Sequence, residues 1–197
     1  MSSEKGYSLI ELLVTMVILV IVLGGLTTIF VSGTGAEATL NRRFQAQQNA
    51  RLGLDRIRTD IHCATAAQAQ TINTYPGLKL AVANCYAATP TISWCVVQYT
   101  TTPVRYQLFR STTDNSTTCT ASDANRVMVA DYLTSSSVFT TSTITQYTLQ
   151  RVGVDFKVSA NAKSSTADAY ELTDSIVARN YTPRCTTAGG CAVPTVT

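Results

Sequence analysis

At 197 residues the chain has room for one domain plus an accessory element, and two full domains would be tight. A net charge of +3, with only 14 % charged residues, argues against the concentrated basic surface of a nucleic-acid specialist. Six cysteines beside a single histidine, with no Cys-x-x-Cys pair, weigh against zinc and favour disulfides formed in an oxidising compartment. In chain order, the first element is an apolar run. No charged residue lies between Glu11 and Glu37, and Leu12 to Val31 is apolar apart from Thr15, Gly24, Gly25, Thr27 and Thr28. That is the roughly 20 residues a helix needs to cross a bilayer core. A secretory signal peptide fits poorly, because only Lys5 precedes the run, which is too long and has no Ala-x-Ala end. A simple anchor does not account for Glu11, since an ionisable group at membrane depth is costly and points to function.

Lys5-Gly6-Tyr7-Ser8-Leu9-Ile10-Glu11-Leu12 resembles the processing signal of type IV prepilins. The resemblance implies cleavage after Gly6 by a membrane-embedded prepilin peptidase and N-methylation of Tyr7. It also places Glu11 at the fifth mature position, where family members carry Glu. Tyr7 departs from the commoner Phe and keeps an aromatic ring there. In the family the Glu pairs with a freed terminal amine and registers an incoming subunit, so Glu11 is the expected assembly residue. The competing reading is a carboxylate snorkelling to the headgroups. Gly24-Gly25 weakens the helix by up to about 1 kcal/mol per glycine relative to Ala, so a kink or local melting is expected there. Close approach of a second helix is the other explanation for the pair.

Helical spacing continues through Leu40, Phe44, Leu54, Ile57 and Ile61, interleaved with Arg42, Arg43, Arg51, Arg56 and Arg58. One helix is predicted over 8–63, about 80 Å long, its second half lying against a head. Beyond Ala64 the composition turns to Thr, Ser, Ala and Asn. Strands are predicted over 78–82, 92–100, 104–110, 148–160 and 171–179, with a hairpin about 100–103 and loops over 114–125 and 160–168. The expected fold is α+β, the type IV pilin fold: a long N-terminal helix, transmembrane in its first half, packed on an antiparallel β-sheet head. Its parts are a leader (1–6), a transmembrane and filament-core helix (7–31), an amphipathic half (32–63) and a β-rich head with a C-terminal disulfide loop (64–197). The stretch 48–61, the pair 96–99 with 108–110, and the segments 152–158 and 170–180 are similar to J-type pseudopilins and W-type minor pilins.

No catalytic constellation can be assembled. His62 is read as a surface residue at the helix end, and no Gly-x-Ser-x-Gly or phosphate loop occurs. Asp114-Asn115 with Asp123 and Asn125 matches no known Ca²⁺ loop spacing and is explained as well by turns. No cofactor or metal is therefore expected. Six cysteines allow fifteen pairings. Locality ranks Cys185–Cys191 first, around Thr-Thr-Ala-Gly-Gly, then Cys63–Cys85 at the helix end and Cys95–Cys119 beside the hairpin. The expected function is a structural minor pilin or pseudopilin that assembles into, primes or caps a type IV pilus or type II secretion-like filament. Its partners would be other pilins through the N-terminal helix, the prepilin peptidase, an inner-membrane assembly platform and the membrane, with the head outside the cytoplasm. The alternative is a DNA- or surface-binding pilin of a competence or adhesion pilus, for which the helix arginines are the feature to test by salt dependence.

Overall fold

The computed structural model describes residues 8–82, 85, 91–142, 149–161 and 169–180, and the backbone of 184–185 and 191–192. Helix α1 runs unbroken over Leu9–Cys63. Ser8 starts it, its carbonyl accepting from the amides of Glu11 (3.0 Å) and Leu12 (3.2 Å). Ten strands follow: β1 (Ala66–Ile72), β2 (Tyr75–Ala81), β3 (Thr91–Thr101), β4 (Val104–Ser111), β5 (Val127–Leu133), β6 (Phe139–Thr141), β7 (Arg151–Val158), β8 (Tyr170–Val177), β9 (Arg184–Cys185) and β10 (Cys191–Ala192). The first eight form one antiparallel sheet in the order β1-β2-β3-β4-β5-β7-β6, with β8 also paired to β7. The result is the expected α+β arrangement. The chain divides into two compact units, Met1–Asn41 and Arg42–Thr197.

Within that second unit the core forms between the end of α1 and one face of the sheet. Ala46, Ala50, Leu54, Ile57 and Ile61 are buried against Trp94, Val96, Leu108, Ala130, Leu133 and Phe156. The spacing of these helical residues puts them on one stripe, as burial of a single helix face requires. Gly53 lies on the same stripe because the sheet comes so close: a Cβ there would stand 3.3 Å from that of Ala130. Leu40 and Phe44 were expected on the buried face and are instead 66 % and 57 % exposed, as is Leu52 at 66 %. Sequence spacing had merged two different stripes of the helix, one facing the sheet and one facing away from it.

The strongest sequence pattern in the head produces the clearest strand. In β7, Val152, Val154, Phe156 and Val158 are buried while the alternate residues turn outward. Three strands of the large sheet, β1, β5 and β6, escaped prediction, as did the short β9 and β10. Strand β1 is rich in Ala and Gln, which favour helix, yet it is held in place from both sides. A two-residue turn at Asn73-Thr74, with φ of 51° and 106°, folds it onto β2. On its other edge the buried Gln150 side chain accepts from the Ala67 amide (2.9 Å) and donates to the Ala67 carbonyl, standing in for a strand neighbour. Strand β6 lies in a Ser/Thr-rich segment that mimics loop, and β5 lacks the strict alternation of buried and exposed residues that marks a strand.

Candidate functional site

Two features stand out as carriers of function: the apolar part of α1 and a cleft at the end of β3, β4 and β5. From Leu12 to Leu23 every side chain except Thr15 is apolar, and Leu12, Leu13, Val17, Ile18, Val22 and Leu23 are each more than half exposed. A helix that is apolar all round belongs in lipid or among other helices. This one is long and apolar enough to cross a membrane. Its hydroxyls are already satisfied along the helix. Thr15 donates to the Leu12 carbonyl (2.9 Å), Thr27 to Leu23 (2.7 Å) and Thr28 to Gly24 (2.9 Å). Among the described residues, Glu11 is the polar side chain of this stretch that has no such partner. Its expected partner, Tyr7, lies outside the described residues, as does Gly6 and with it the cleavage site. The structure therefore isolates Glu11 as the one polar group in the stretch that still needs a partner.

The helix does not melt at Gly24-Gly25. Its hydrogen bonding runs through both glycines, and the hydroxyl of Thr28 back-bonds onto Gly24. Apart from the adjoining residues and backbone of the helix itself, nothing among the described residues lies within 4 Å of where a Cβ would sit on either glycine. That open space leaves close approach of another helix as the reading that needs no change in the helix itself.

Two disulfides are present among the described residues. Cys63–Cys85 ties the end of α1 to the segment after β2, with Cα atoms 5.7 Å apart. Cys95–Cys119 pins the loop between β4 and β5 to β3, with Cα atoms 6.1 Å apart. Cys185 and Cys191 are register partners on β9 and β10, and their side chains lie outside the described residues. His62 is half-buried, its Nδ1 3.2 Å from the Val177 carbonyl, which corrects its reading as a plain surface residue. Arg58 pairs with Asp174 (2.9 Å) and Asp55 (3.3 Å), so part of the arginine series is spent on the head itself.

The residues considered for Ca²⁺ have other work in the structure. Asp123 is buried and accepts four hydrogen bonds, from the Ser111 and Thr113 hydroxyls and the Cys119 and Asn125 amides. Asp114 pairs with Lys79 at 2.9 Å. Burial alone would raise the Asp123 carboxyl, but the donors around it outweigh burial and hold it below the usual carboxylate range. A depressed folded-state value means stability present above the unfolded value, about 3.9, and lost as pH falls through the folded value. The melting temperature is accordingly expected to fall on acidification below about pH 4. Asp123→Asn should flatten that acid slope and cost about 1.5–3 kcal/mol at pH 7. Thermal melts from pH 2.5 to 7 check both; an unchanged slope in the variant assigns the acid loss to other carboxyls.

Sequence reasoning missed the buried pair Asp60–Arg110 (Nε to Oδ2, 2.7 Å), which joins α1 to β4. It also missed Tyr99 and Tyr132, which sit where the strand register slips. An aromatic residue that breaks strict alternation was the available signal for Tyr132.

Residues 1–27 match the family model described as the prokaryotic N-terminal methylation motif. No curated protein and no solved structure matches the chain. A chain that joins this motif to a helix lying on an antiparallel sheet is type IV pilin-like, and the motif implies maturation by a prepilin peptidase and assembly with other pilins in a membrane system.

Proposed function

We propose that the chain is a non-catalytic minor pilin or pseudopilin, most like the J-type pseudopilins and W-type minor pilins, that primes or caps a type IV pilus-like or type II secretion-like filament. The observation that carries this reading is the bare apolar helix headed by an unpartnered Glu11. Such a surface is stable first in lipid and then among equivalent helices, which is the itinerary of a filament subunit. The subtype rests on the resemblance of residues 48–61, the stretch that seats the helix on the sheet through Gly53, Leu54, Ile57 and Ile61. The head would lie outside the cytoplasm, where the two disulfides are stable.

Processing is the first consequence. Mass spectrometry of membrane-derived protein is expected to find a chain that starts at methylated Tyr7; intact Met1 to Gly6 would contradict it. The minor role has its own test. Isotope-dilution mass spectrometry of sheared filaments should find this chain far below the molar amount of the main subunit, and its loss should cut filament number. A chain that proves the most abundant subunit, or whose loss leaves filament number unchanged, overturns the proposed role.

A further inference from the structure

A cleft of about 300 Å³ lies at the end of β3, β4 and β5, lined by Tyr99, Thr100, Pro103, Arg105, Tyr132 and Asn161 among others. Two independent irregularities build it. In the β3–β4 ladder Gln98 faces Tyr106 and Thr100 faces Arg105, so Tyr99 is an extra residue on β3. In the β4–β5 ladder Leu108 faces Ala130 and Tyr106 faces Leu133, so Asp131 and Tyr132 together oppose Gln107. Bulges of this kind re-aim side chains and gather beside functional sites. Tyr132 adopts φ 62°, a left-handed conformation that a bulky residue adopts only when its surroundings impose it. Both rings remain well exposed, at 40 % and 38 %.

The chemistry of the walls is specific. Arg105 is buried, and its guanidinium donates to the Ser159 and Asn161 carbonyls, so its charge fastens the wall and does not form the rim. The Tyr99 hydroxyl lies near the Asp131 carboxylate. Burial first, and then the negative charge of Asp131, push it up to about 12, so it keeps its proton at every physiological pH. Among the described residues the cleft thus offers two aromatic faces with hydroxyl and amide groups around them and the Asp131 carboxylate beside the Tyr99 hydroxyl. Among the described residues no cation other than Arg105 lines it. A phosphate-bearing ligand would want exposed cations at the rim. A pyranose presents a face of C–H bonds for an aromatic ring and a rim of hydroxyls for polar neighbours, the combination that a few polar groups set among aromatic walls select. From the paired bulges and these walls we infer that the cleft binds a neutral sugar unit, as at the end of a glycan.

The test uses the full chain in lipid nanodiscs, which avoid sugar-headed detergents. The probes are the methyl pyranosides of glucose, galactose, mannose and N-acetylglucosamine, followed by saturation-transfer NMR. At least one is expected to receive saturation on its ring C–H protons. Tyr132→Gly relieves the left-handed backbone, so the variant should keep its melting temperature while affinity falls at least about ten-fold. Tyr99→Ala, made separately, should weaken binding to a similar degree and serves if the glycine variant fails to fold. Absence of transfer to every pyranoside overturns the inference. So does unchanged affinity in both variants, or binding of an oligothymidylate in place of any sugar.

Discussion

Glu11→Val is expected to be cleaved and to enter the membrane at least as well as the natural chain, while its content in sheared filaments falls at least about ten-fold. The two signs differ because the carboxylate opposes one step and serves the other. A carboxylate within an apolar helix costs up to about 2.5–3.5 kcal/mol on insertion, less near the edge, and valine removes that cost. In the described residues the threonines of this stretch satisfy their hydroxyls along the helix, whereas Glu11 has no side-chain partner. A partner gained only in assembly would then be worth more than about 1.4 kcal/mol, the equivalent of a ten-fold change. Quantitative immunoblots of membrane and filament fractions read both steps. Glu11→Gln separates charge from polarity, since it should recover little if a charged amine is the partner. Normal filament content of the valine variant would remove Glu11 from the assembly mechanism.

The largest effect on stability is expected at Asp60. Its carboxylate is fully buried and meets Arg110 Nε at 2.7 Å, with a second, longer contact from Nη2 to Oδ1 at 3.4 Å. This pair joins the helix to the middle of the sheet. Removing one partner of a buried ion pair leaves the other charge desolvated, at a cost of about 3–5 kcal/mol. For a unit of this size Asp60→Ala should lower the melting temperature by on the order of 10 °C. Replacing both partners with apolar residues of similar volume, as in Asp60→Leu with Arg110→Met, should recover more than half of the loss, because no orphaned charge remains. Thermal melts of the two variants decide the matter; a loss below about 1 kcal/mol in Asp60→Ala would mean that water reaches the site.

Gln150 shows how a single side chain can complete a sheet. Its side-chain carbonyl accepts from the Ala67 amide and its side-chain NH2 donates to the Ala67 carbonyl. Nothing in a lone glutamine near position 150 announces that role, because its partner lies 83 residues away in the chain. The same holds for the tyrosine cleft. Tyr99 and Tyr132 come together only because two strands flanking β4 each slip register.

The N-terminal motif and the helix could be read from the sequence because both depend on local facts. A bilayer-length apolar run has one stable backbone solution, and a Gly, an aromatic and a Glu at fixed offsets carry their meaning within a few residues. Strand β7 was legible for the same reason, since alternation of Val152, Val154, Phe156 and Val158 is a period of two within one element. Tertiary structure alone decided which stripe of the helix is buried, leaving Phe44 exposed and Gly53 covered. It alone turned the Ala-Gln segment of β1 into a strand, through pairing energies that outweigh a weak local preference for helix. It also turned Asp123 from a candidate ligand into the anchor of a loop, because four donors from separate points in the chain converge on one carboxylate. Such convergence depends on the folded path of the chain and leaves no periodic trace in the order of its residues.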